Sequence, residues 1–352
     1  MRRNELVGMF LPHSTGGKEM RRNKWLLVLC AMLLIWTTAC SNDVASGTDK
    51  GLTKVKLMLD WTPNTNHTGL YVAIAKGYFK EEGLDVEILQ PGKTTTEAAV
   101  GGGQIDFGVS VQENVTFSRT QQVPILSIGA IIQHNTSGFA SPMNKNIKSP
   151  KDFVGKTYGG YGSPTEKPII QALMTKEQAD VNKVKFLNIG SVDFFTAVKR
   201  DVDFSWIYQG WTGIESELRG EKLNMIYLTD YAKELDYYTP VLITSEQKAK
   251  QDPETVRKFM KAVSKGYQFA IESPDEAAEI LIKAEPDLNP ELVRKSQQWL
   301  SPRYQAEAKQ WGHQERSVWD NYAQFLQKNN LLEGKFNPDE AFTNQFLPQG
   351  GK

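Results

Sequence analysis

Two polar segments rich in aromatic residues contain the side chains best suited to binding a flat, hydrogen-bonding molecule. The first is residues 60–70, Asp-Trp-Thr-Pro-Asn-Thr-Asn-His-Thr-Gly-Leu, and the second is residues 208–215, Tyr-Gln-Gly-Trp-Thr-Gly-Ile-Glu. In the first segment Trp61 offers a flat apolar face, while Asn66 and His67 offer hydrogen-bond donors and acceptors. The alternative is that the tryptophan belongs to the core and the asparagines are turn and N-cap residues.

The second segment combines two aromatic rings and a carboxylate. The rings of Tyr208 and Trp211 can stack on a planar ligand, and Glu215 can accept paired hydrogen bonds from an aminopyrimidine edge. The alternative is that Glu215 is an exposed helix residue. The segment therefore predicts one wall of a site for a planar, basic ligand.

Alternating strands and helices are predicted to position these segments. Alternating or continuous apolar runs predict strands at 54–59, 84–89, 105–111, 125–132, 184–189, 204–207 and 241–244. Helices are predicted between them, and later ones at 253–272, from 274, from 290 and at about 314–328. This order predicts an α/β protein with mostly parallel sheets, in which ligands bind at the carboxyl ends of strands.

A glycine-rich loop, Gly159-Gly160-Tyr161-Gly162, follows another short predicted strand and precedes a helix beginning near Glu166. Glycines allow backbone amides to approach a ligand or an anion at a helix N-terminus, which makes Tyr161 and Gly162 candidate site residues. The loop lacks the Gly-Lys-Ser/Thr ending of a P-loop. The alternative is a tight turn that serves only the fold.

Composition argues against several classes of site. Both cysteines, Cys30 and Cys40, lie in or at the end of the N-terminal leader, so the body has no thiol for zinc, a disulfide or nucleophilic catalysis. The four histidines are scattered without metal-ligand spacing, and no metal site is expected. Without residues 1–39 the formal charge is about −4, which argues against a nucleic-acid partner.

Residues 20–40 have a basic head, an apolar run and then small residues, the pattern of a secretory signal. Thr37-Thr38-Ala39-Cys40 resembles the lipobox of bacterial lipoproteins, which predicts cleavage before Cys40 and lipidation there. The alternative is a signal whose cleavage releases a soluble protein. We expect Met20 to be the real start and residues 40–51 to form the lipidated cysteine and a tether.

Three motifs resemble a known family. Residues 60–69, residues 77–84 (Gly-Tyr-Phe-Lys-Glu-Glu-Gly-Leu) and residues 159–162 closely resemble the family that contains thiamine-pyrimidine-precursor binding proteins of bacterial ABC importers and the yeast pyrimidine-precursor synthases. The resemblance covers essentially the whole chain after residue 50. It implies a type II periplasmic-binding-protein fold with two α/β lobes and a two-segment hinge. Lobe 1 would be residues 52–145 plus 240–352, and lobe 2 residues 146–239.

The resemblance also bears on catalysis. The enzymes of this family hold pyridoxal phosphate on a lysine and carry a cysteine-rich iron-binding motif. The resemblance places Ser110 at the position of that lysine, and no cysteine follows Cys40. Both departures favour a receptor that is not an enzyme and uses no cofactor, and the exported leader agrees with this.

The function implied is that of an extracytoplasmic, lipid-anchored binding component of an ABC importer, at the outer face of the cytoplasmic membrane. It would capture a thiamine-related aminopyrimidine such as formylaminopyrimidine, for thiamine salvage, and deliver it as a monomer to a membrane permease. The expected ligand-binding residues are Trp61, Asn66, His67, Ser110, Glu113, Tyr161, Gly162, Tyr208, Trp211 and Glu215.

Two alternatives stay open at this point. One is a binding protein for riboflavin or another planar heterocycle. The other is an exported pyrimidine-processing enzyme in which Asp60, His67, Glu113 and Glu215 act as acid and base groups, although no nucleophile–base spacing supports it.

Overall fold

The computed structural model describes residues 51–332 and 336–349. The predicted leader, Cys40 with its predicted lipidation, and most of the predicted tether lie outside the described residues. The strands of the described part are β1 (Thr53–Met58), β2 (Leu84–Leu89), β3 (Phe107–Ser110), β4 (Ile125–Ala130), β5 (Ser137–Pro142), β6 (Thr157–Gly160), β7 (Lys185–Asn188), β8 (Phe204–Tyr208), β9 (Leu223–Tyr227) and β10 (Val241–Ser245).

The α-helices of the described part are α1 (Thr68–Ala75), α2 (Tyr78–Glu81), α3 (Thr96–Gly101), α4 (Gln112–Thr120), α5 (Glu166–Lys176), α6 (Phe194–Val198), α7 (Ile214–Arg219), α8 (Glu246–Gln251), α9 (Pro253–Glu272), α10 (Pro274–Ala284), α11 (Pro290–Leu300), α12 (Arg316–Lys328) and α13 (Pro338–Ala341). Several begin at positions that the sequence marks. For example, Asp252 accepts the Thr255 N–H and caps α9. Pro253 occupies the first turn, where the backbone N–H that proline lacks would have no partner within the helix.

Two five-stranded sheets organise these elements. Sheet A has the order β2-β1-β3-β10-β4, and sheet B has the order β7-β6-β8-β5-β9. In sheet A β10 runs antiparallel to both of its neighbours, and in sheet B β5 does the same, while the other neighbouring pairs are parallel. In each sheet four of the five strands therefore point in the same direction, which is the predicted mostly parallel arrangement.

Separate aromatic cores lie against the two sheets. Next to sheet A, Phe107 of β3 stacks on Phe259 of α9 with ring centroids 3.8 Å apart. Next to sheet B, Phe153 stacks on Phe204 of β8 at 4.1 Å. Helices cover the faces of each sheet and bury these rings, so the ends of the strands remain available for a site.

The chain passes between the sheets twice. It leaves sheet A after Ala130 and returns to it at Val241, where β10 pairs with β3 and β4. The expected boundary after residue 145 would place β5 in lobe 1. The pairing instead places β5 in sheet B, between β8 and β9. The hinge and the residue bounds of the two lobes stay a prediction.

Hydrogen bonds hold the two connecting segments side by side. The Asn135 N–H donates to Asp236 at 2.9 Å, and His134 lies 2.8 Å from the same carboxylate and 3.0 Å from Glu307. These two carboxylates raise the pKa of His134 to about 9, against partial desolvation.

Within the part of the chain that the structure describes, no helix has both the length and the apolar character needed to cross a membrane.

Candidate ligand-binding site

A cavity of about 590 Å³ lies where the carboxyl ends of strands from both sheets meet. Its walls come from the loops after β1 and β3 of sheet A, the loops after β6, β7 and β8 of sheet B, and the segment between α10 and α11. This edge is where α/β folds bind small ligands, and pockets of ~300–1,000 Å³ suit small organic molecules. The cavity is therefore the candidate site.

Seven of the ten residues predicted from the sequence line this cavity. They are Trp61, Asn66, Glu113, Tyr161, Tyr208, Trp211 and Glu215. Because the first three follow strands of sheet A and the other four follow strands of sheet B, the cavity brings the two predicted segments together from opposite sheets. Their contact with a ligand stays a prediction.

His67 does not line the cavity, and it is fully buried. Its Nδ1 accepts the Asn64 N–H at 3.2 Å, so the proton of the neutral ring lies on Nε2, which donates to Asp60 at 2.8 Å. Asp60 itself faces the cavity. The arrangement makes His67 a positioning residue for that carboxylate.

Ser110 also lies outside the cavity lining, because the serine side chain is buried against α3. Its hydroxyl donates to Glu97, which accepts a second hydrogen bond from Asn114 at 3.1 Å. The hydrogen-bonding capacity of the hydroxyl is thus used within the protein, which indicates a structural role for Ser110.

The glycine-rich loop uses its amides differently from the prediction. The N–H groups of Tyr161 and Gly162 donate to Glu166, at 2.8 and 3.1 Å, so a carboxylate of the chain itself occupies the position expected for an anion. Gly162 has a φ of 99° and lies outside the main cavity, in a smaller neighbouring one of about 270 Å³. The ring of Tyr161 reaches the main cavity.

Glu215 lines the cavity, yet its carboxylate already has a partner. Arg219, one turn later in α7, donates to the same Glu215 oxygen from Nε at 2.9 Å and from a terminal nitrogen at 2.5 Å. Glu215 therefore belongs to a helix, as one interpretation predicted, and also lines the cavity, as the other predicted. The ion pair weakens its candidacy as the carboxylate that binds the ligand.

Glu113 is the carboxylate with unused hydrogen-bonding capacity. It lies near the start of α4, is 2% exposed, and its Oε2 has no hydrogen-bond partner within the described residues. Burial raises the pKa of Glu113 to about 7, and its own backbone N–H and Tyr237 offset part of that increase. The Tyr237 hydroxyl lies near Glu113, but it forms no hydrogen bond of normal geometry with Oε2.

Two further polar groups of the cavity were not predicted. The Ser205 hydroxyl and the Trp206 Nε1–H are buried without a partner among the described residues, and both side chains line the cavity. Trp206 lies in the strand predicted at 204–207, and its ring packs against Phe139 with centroids 5.3 Å apart. Its place near the carboxyl end of β8 also brings it to the site.

An unusual turn presents the second predicted segment. A π-helical turn, Gln209–Gly213, connects β8 to α7 and places Trp211 and Thr212 on the cavity wall. Such turns are rare and are found frequently at functional sites. Within the described residues no group of three His, Cys, Asp or Glu side chains could hold a metal ion.

Comparison with known families agrees with the geometry. The profile of the family described as NMT1/THI5 like matches residues 64–277, more than half of the chain. The chain belongs to the NMT1/THI5-like family. The matched region contains residues 64–70 of the first predicted segment, the whole second segment and most of the cavity lining.

Members and relatives of the NMT1/THI5-like family have different names. The chain is 28% identical to a formylaminopyrimidine-binding protein of Halalkalibacterium halodurans, over 92% of this chain and 99% of that one. It is 27% identical to a 4-amino-5-hydroxymethyl-2-methylpyrimidine phosphate synthase of Legionella pneumophila, over 84% and 92%. It is 24% identical to the riboflavin-binding protein RibY of Chloroflexus aurantiacus, over 92% and 98%.

Solved structures establish the fold. The alkanesulfonate-binding protein SsuA of Xanthomonas axonopodis pv. citri, bound to MOPS, superposes with a TM-score of 0.64 at 14% identity, over 83% of this chain and 98% of that one. The nitrate-binding protein NrtA of Synechocystis PCC 6803 gives 0.66 at 13% identity, over 84% and 87%. The predicted two-lobe type II periplasmic-binding-protein fold is confirmed.

Proposed function

We propose that this protein is an extracytoplasmic ligand-binding protein that captures a thiamine-related aminopyrimidine, such as formylaminopyrimidine, for import and thiamine salvage. The observation that carries the proposal is the cavity between the two sheets, in which aromatic rings from both sheets accompany a buried carboxylate, one oxygen of which has no partner among the described residues. The likeness to a formylaminopyrimidine-binding protein over nearly the full length of both chains supports the choice of ring.

Aromatic side chains supply the surface for a planar ring. Trp61 follows β1 of sheet A, while Tyr208 and Trp211 lie at the end of β8 in sheet B and directly after it. A flat heterocycle between these rings would bury both of its faces, and stacking contributes beyond the buried area. A ligand held this way contacts both sheets, so binding would favour a closed arrangement of the lobes.

Glu113 supplies the polar recognition. An aminopyrimidine presents an amino N–H beside a ring nitrogen, and a carboxyl group can pair with both atoms at once. A protonated Glu113 matches the neutral ring, and an ionised Glu113 matches the protonated ring. Because its pKa is about 7, both forms are accessible near neutral pH. We assign to Glu113 the role that the sequence suggested for Glu215.

The same features support a binding role without catalysis. Ser110, at the position where the resemblance expects the lysine of the enzymes, is buried and bonded to Glu97. The body contains no cysteine for an iron-binding motif. We propose further that Cys40 anchors the protein at the outer face of the cytoplasmic membrane, and that the monomer delivers its ligand to an ABC permease.

Calorimetric titration of the purified protein tests this function. We expect one-to-one binding of formylaminopyrimidine or hydroxymethylpyrimidine, weakened at least tenfold (~1.4 kcal/mol) by Trp211→Ala because the stacking surface is lost. Tyr231→Ala is the matched control, since this partly exposed aromatic ring lies outside the cavity lining and its loss should leave affinity unchanged.

The same titration separates the alternatives. Heat from riboflavin with none from the pyrimidines would contradict the ligand class and favour the riboflavin alternative. Chromatography of the titrated mixture covers the enzymatic alternative, because conversion of a pyrimidine into a new compound would contradict a purely binding role.

A further inference from the structure

The cavity lining has a one-sided charge. Six of its side chains are acidic, and none of the described residues that line it is a lysine, an arginine or a histidine. The six are Asp60, Glu113, Glu166, Asp193, Glu215 and Asp287. Since opposite charges attract and like charges repel more strongly in a partly buried site than in water, this lining bears on the charge of the ligand.

The six carboxylates are not equivalent. Glu215 is paired with Arg219, and Asp193 caps α6 by accepting the Thr196 N–H at 2.9 Å. Asp287 is exposed at the edge of the cavity. The carboxylates of Asp60, Glu113 and Glu166 have no cationic side chain within salt-bridge distance among the described residues, apart from the histidine that orients Asp60. These three therefore set the charge of the interior.

Two backbone donors of the glycine-rich loop are already occupied. In proteins, phosphate groups commonly bind glycine-rich loops and helix N-termini through free N–H groups. Here the N–H groups of Tyr161 and Gly162 donate to Glu166, a residue in the first turn of α5. A phosphate at this loop would have to displace a carboxylate of the chain itself, or lie beside it.

The interior also favours a positive charge. The free oxygen of Glu113 is buried, and a buried carboxylate without a partner is destabilised until a cation or a donor reaches it. The faces of Trp61 and Trp211, which line the same cavity, attract cations through their ring quadrupoles.

We propose that this cavity selects its ligand by charge, favouring an aminopyrimidine that carries a positive charge and excluding phosphorylated forms of the same ring. The identity of the ring rests on the proposed function, whereas the charge selectivity rests on the lining alone. The fold does not impose this preference, because a protein of the same fold is named for alkanesulfonate binding.

Three pyrimidines that differ at one substituent test the proposal. They are 4-amino-2-methylpyrimidines with an aminomethyl, a hydroxymethyl or a phosphorylated hydroxymethyl group at carbon 5, titrated calorimetrically at pH 7.5. We expect the aminomethyl compound to bind at least tenfold more tightly than the hydroxymethyl compound, and the phosphate ester at least tenfold more weakly. Asp60→Asn should reduce the first ratio severalfold, whereas Asp85→Asn, an exposed acid of β2 outside the cavity, should leave it unchanged.

Failure of this proposal can be distinguished from failure of the proposed function. A phosphate ester that binds as tightly as the hydroxymethyl compound, or an aminomethyl compound that binds no more tightly, overturns the charge selectivity while the pyrimidine assignment stands. If no pyrimidine binds, the assignment falls, and riboflavin against its 5′-phosphate tests the charge rule. A tenfold preference for riboflavin supports the rule, whereas equal binding, or binding of neither flavin, overturns it.

Discussion

Replacing Glu113 by glutamine is expected to raise the free energy of unfolding of the unliganded protein at pH 8 by about 3 kcal/mol, given ~1.4 kcal/mol per pKa unit. Burial raises the pKa of this carboxyl from 4.5 to about 7, so the folded state holds its proton more tightly than the unfolded state. Its contribution to stability is fully present below about pH 4.5 and is lost as the pH rises through about 7. Glutamine keeps the shape of the side chain and removes the buried charge.

Urea unfolding at pH 5 and pH 8 measures this effect. The gain from Glu113→Gln should be large at pH 8 and small at pH 5. The control is Glu87→Gln, an exposed carboxylate of β2, for which the change should stay within ~0.5 kcal/mol at both values. A gain that is the same at both pH values would contradict a buried, titrating carboxylate.

The same substitution should weaken binding of the protonated aminopyrimidine at least tenfold, because an ionised carboxylate accepts from both the amino N–H and the ring N–H, whereas the amide offers only one acceptor. Opposite effects on stability and on affinity are expected of a group that is kept for function at a cost to the fold. Loss of stability with unchanged affinity would instead make Glu113 a structural residue.

The second large effect is expected at the crossing of α1 and α9. Gly266→Ala should lower the free energy of unfolding by roughly 2 kcal/mol, within the usual range for overpacking. A methyl group at Gly266 would overlap the carbonyl oxygen of Gly69, which is backbone and cannot rotate away. Helix propensity alone predicts the opposite sign, since alanine is favoured over glycine by ~1 kcal/mol within a helix.

Thermal unfolding of Gly266→Ala beside Gly92→Ala checks this prediction. A methyl group at Gly92 would meet no atom within 4 Å, so that variant should match the parent closely. A Gly266→Ala protein that is as stable as the parent would contradict the close approach of the two helices.

The sequence predicts most of the strands that carry a clear apolar pattern. The alternating run at 54–59 becomes β1, and the run at 84–89 becomes β2 with the predicted bounds. In contrast β5 was not predicted, because Ser-Gly-Phe-Ala-Ser-Pro has little strand propensity. β5 forms a strand because it pairs with β8 and β9 on either side. These contacts between distant parts of the chain cannot be read from its local sequence.

The site shows the same limit. Aromatic and amide residues at strand ends were sufficient to predict Trp61, Tyr208 and Trp211 as residues of one cavity. The i, i+4 spacing of Glu215 and Arg219 was a signal for their ion pair and was visible in the sequence. The free oxygen of Glu113 was not predictable, since it depends on which partners the fold fails to bring near.

A crystal structure of the protein with formylaminopyrimidine tests the central claim most directly. The account predicts the pyrimidine ring between Trp61 of one sheet and Tyr208 or Trp211 of the other, with its amino edge against the carboxyl of Glu113. A pyrimidine bound outside this cavity, or bound within it with its amino edge turned away from Glu113, would contradict the account.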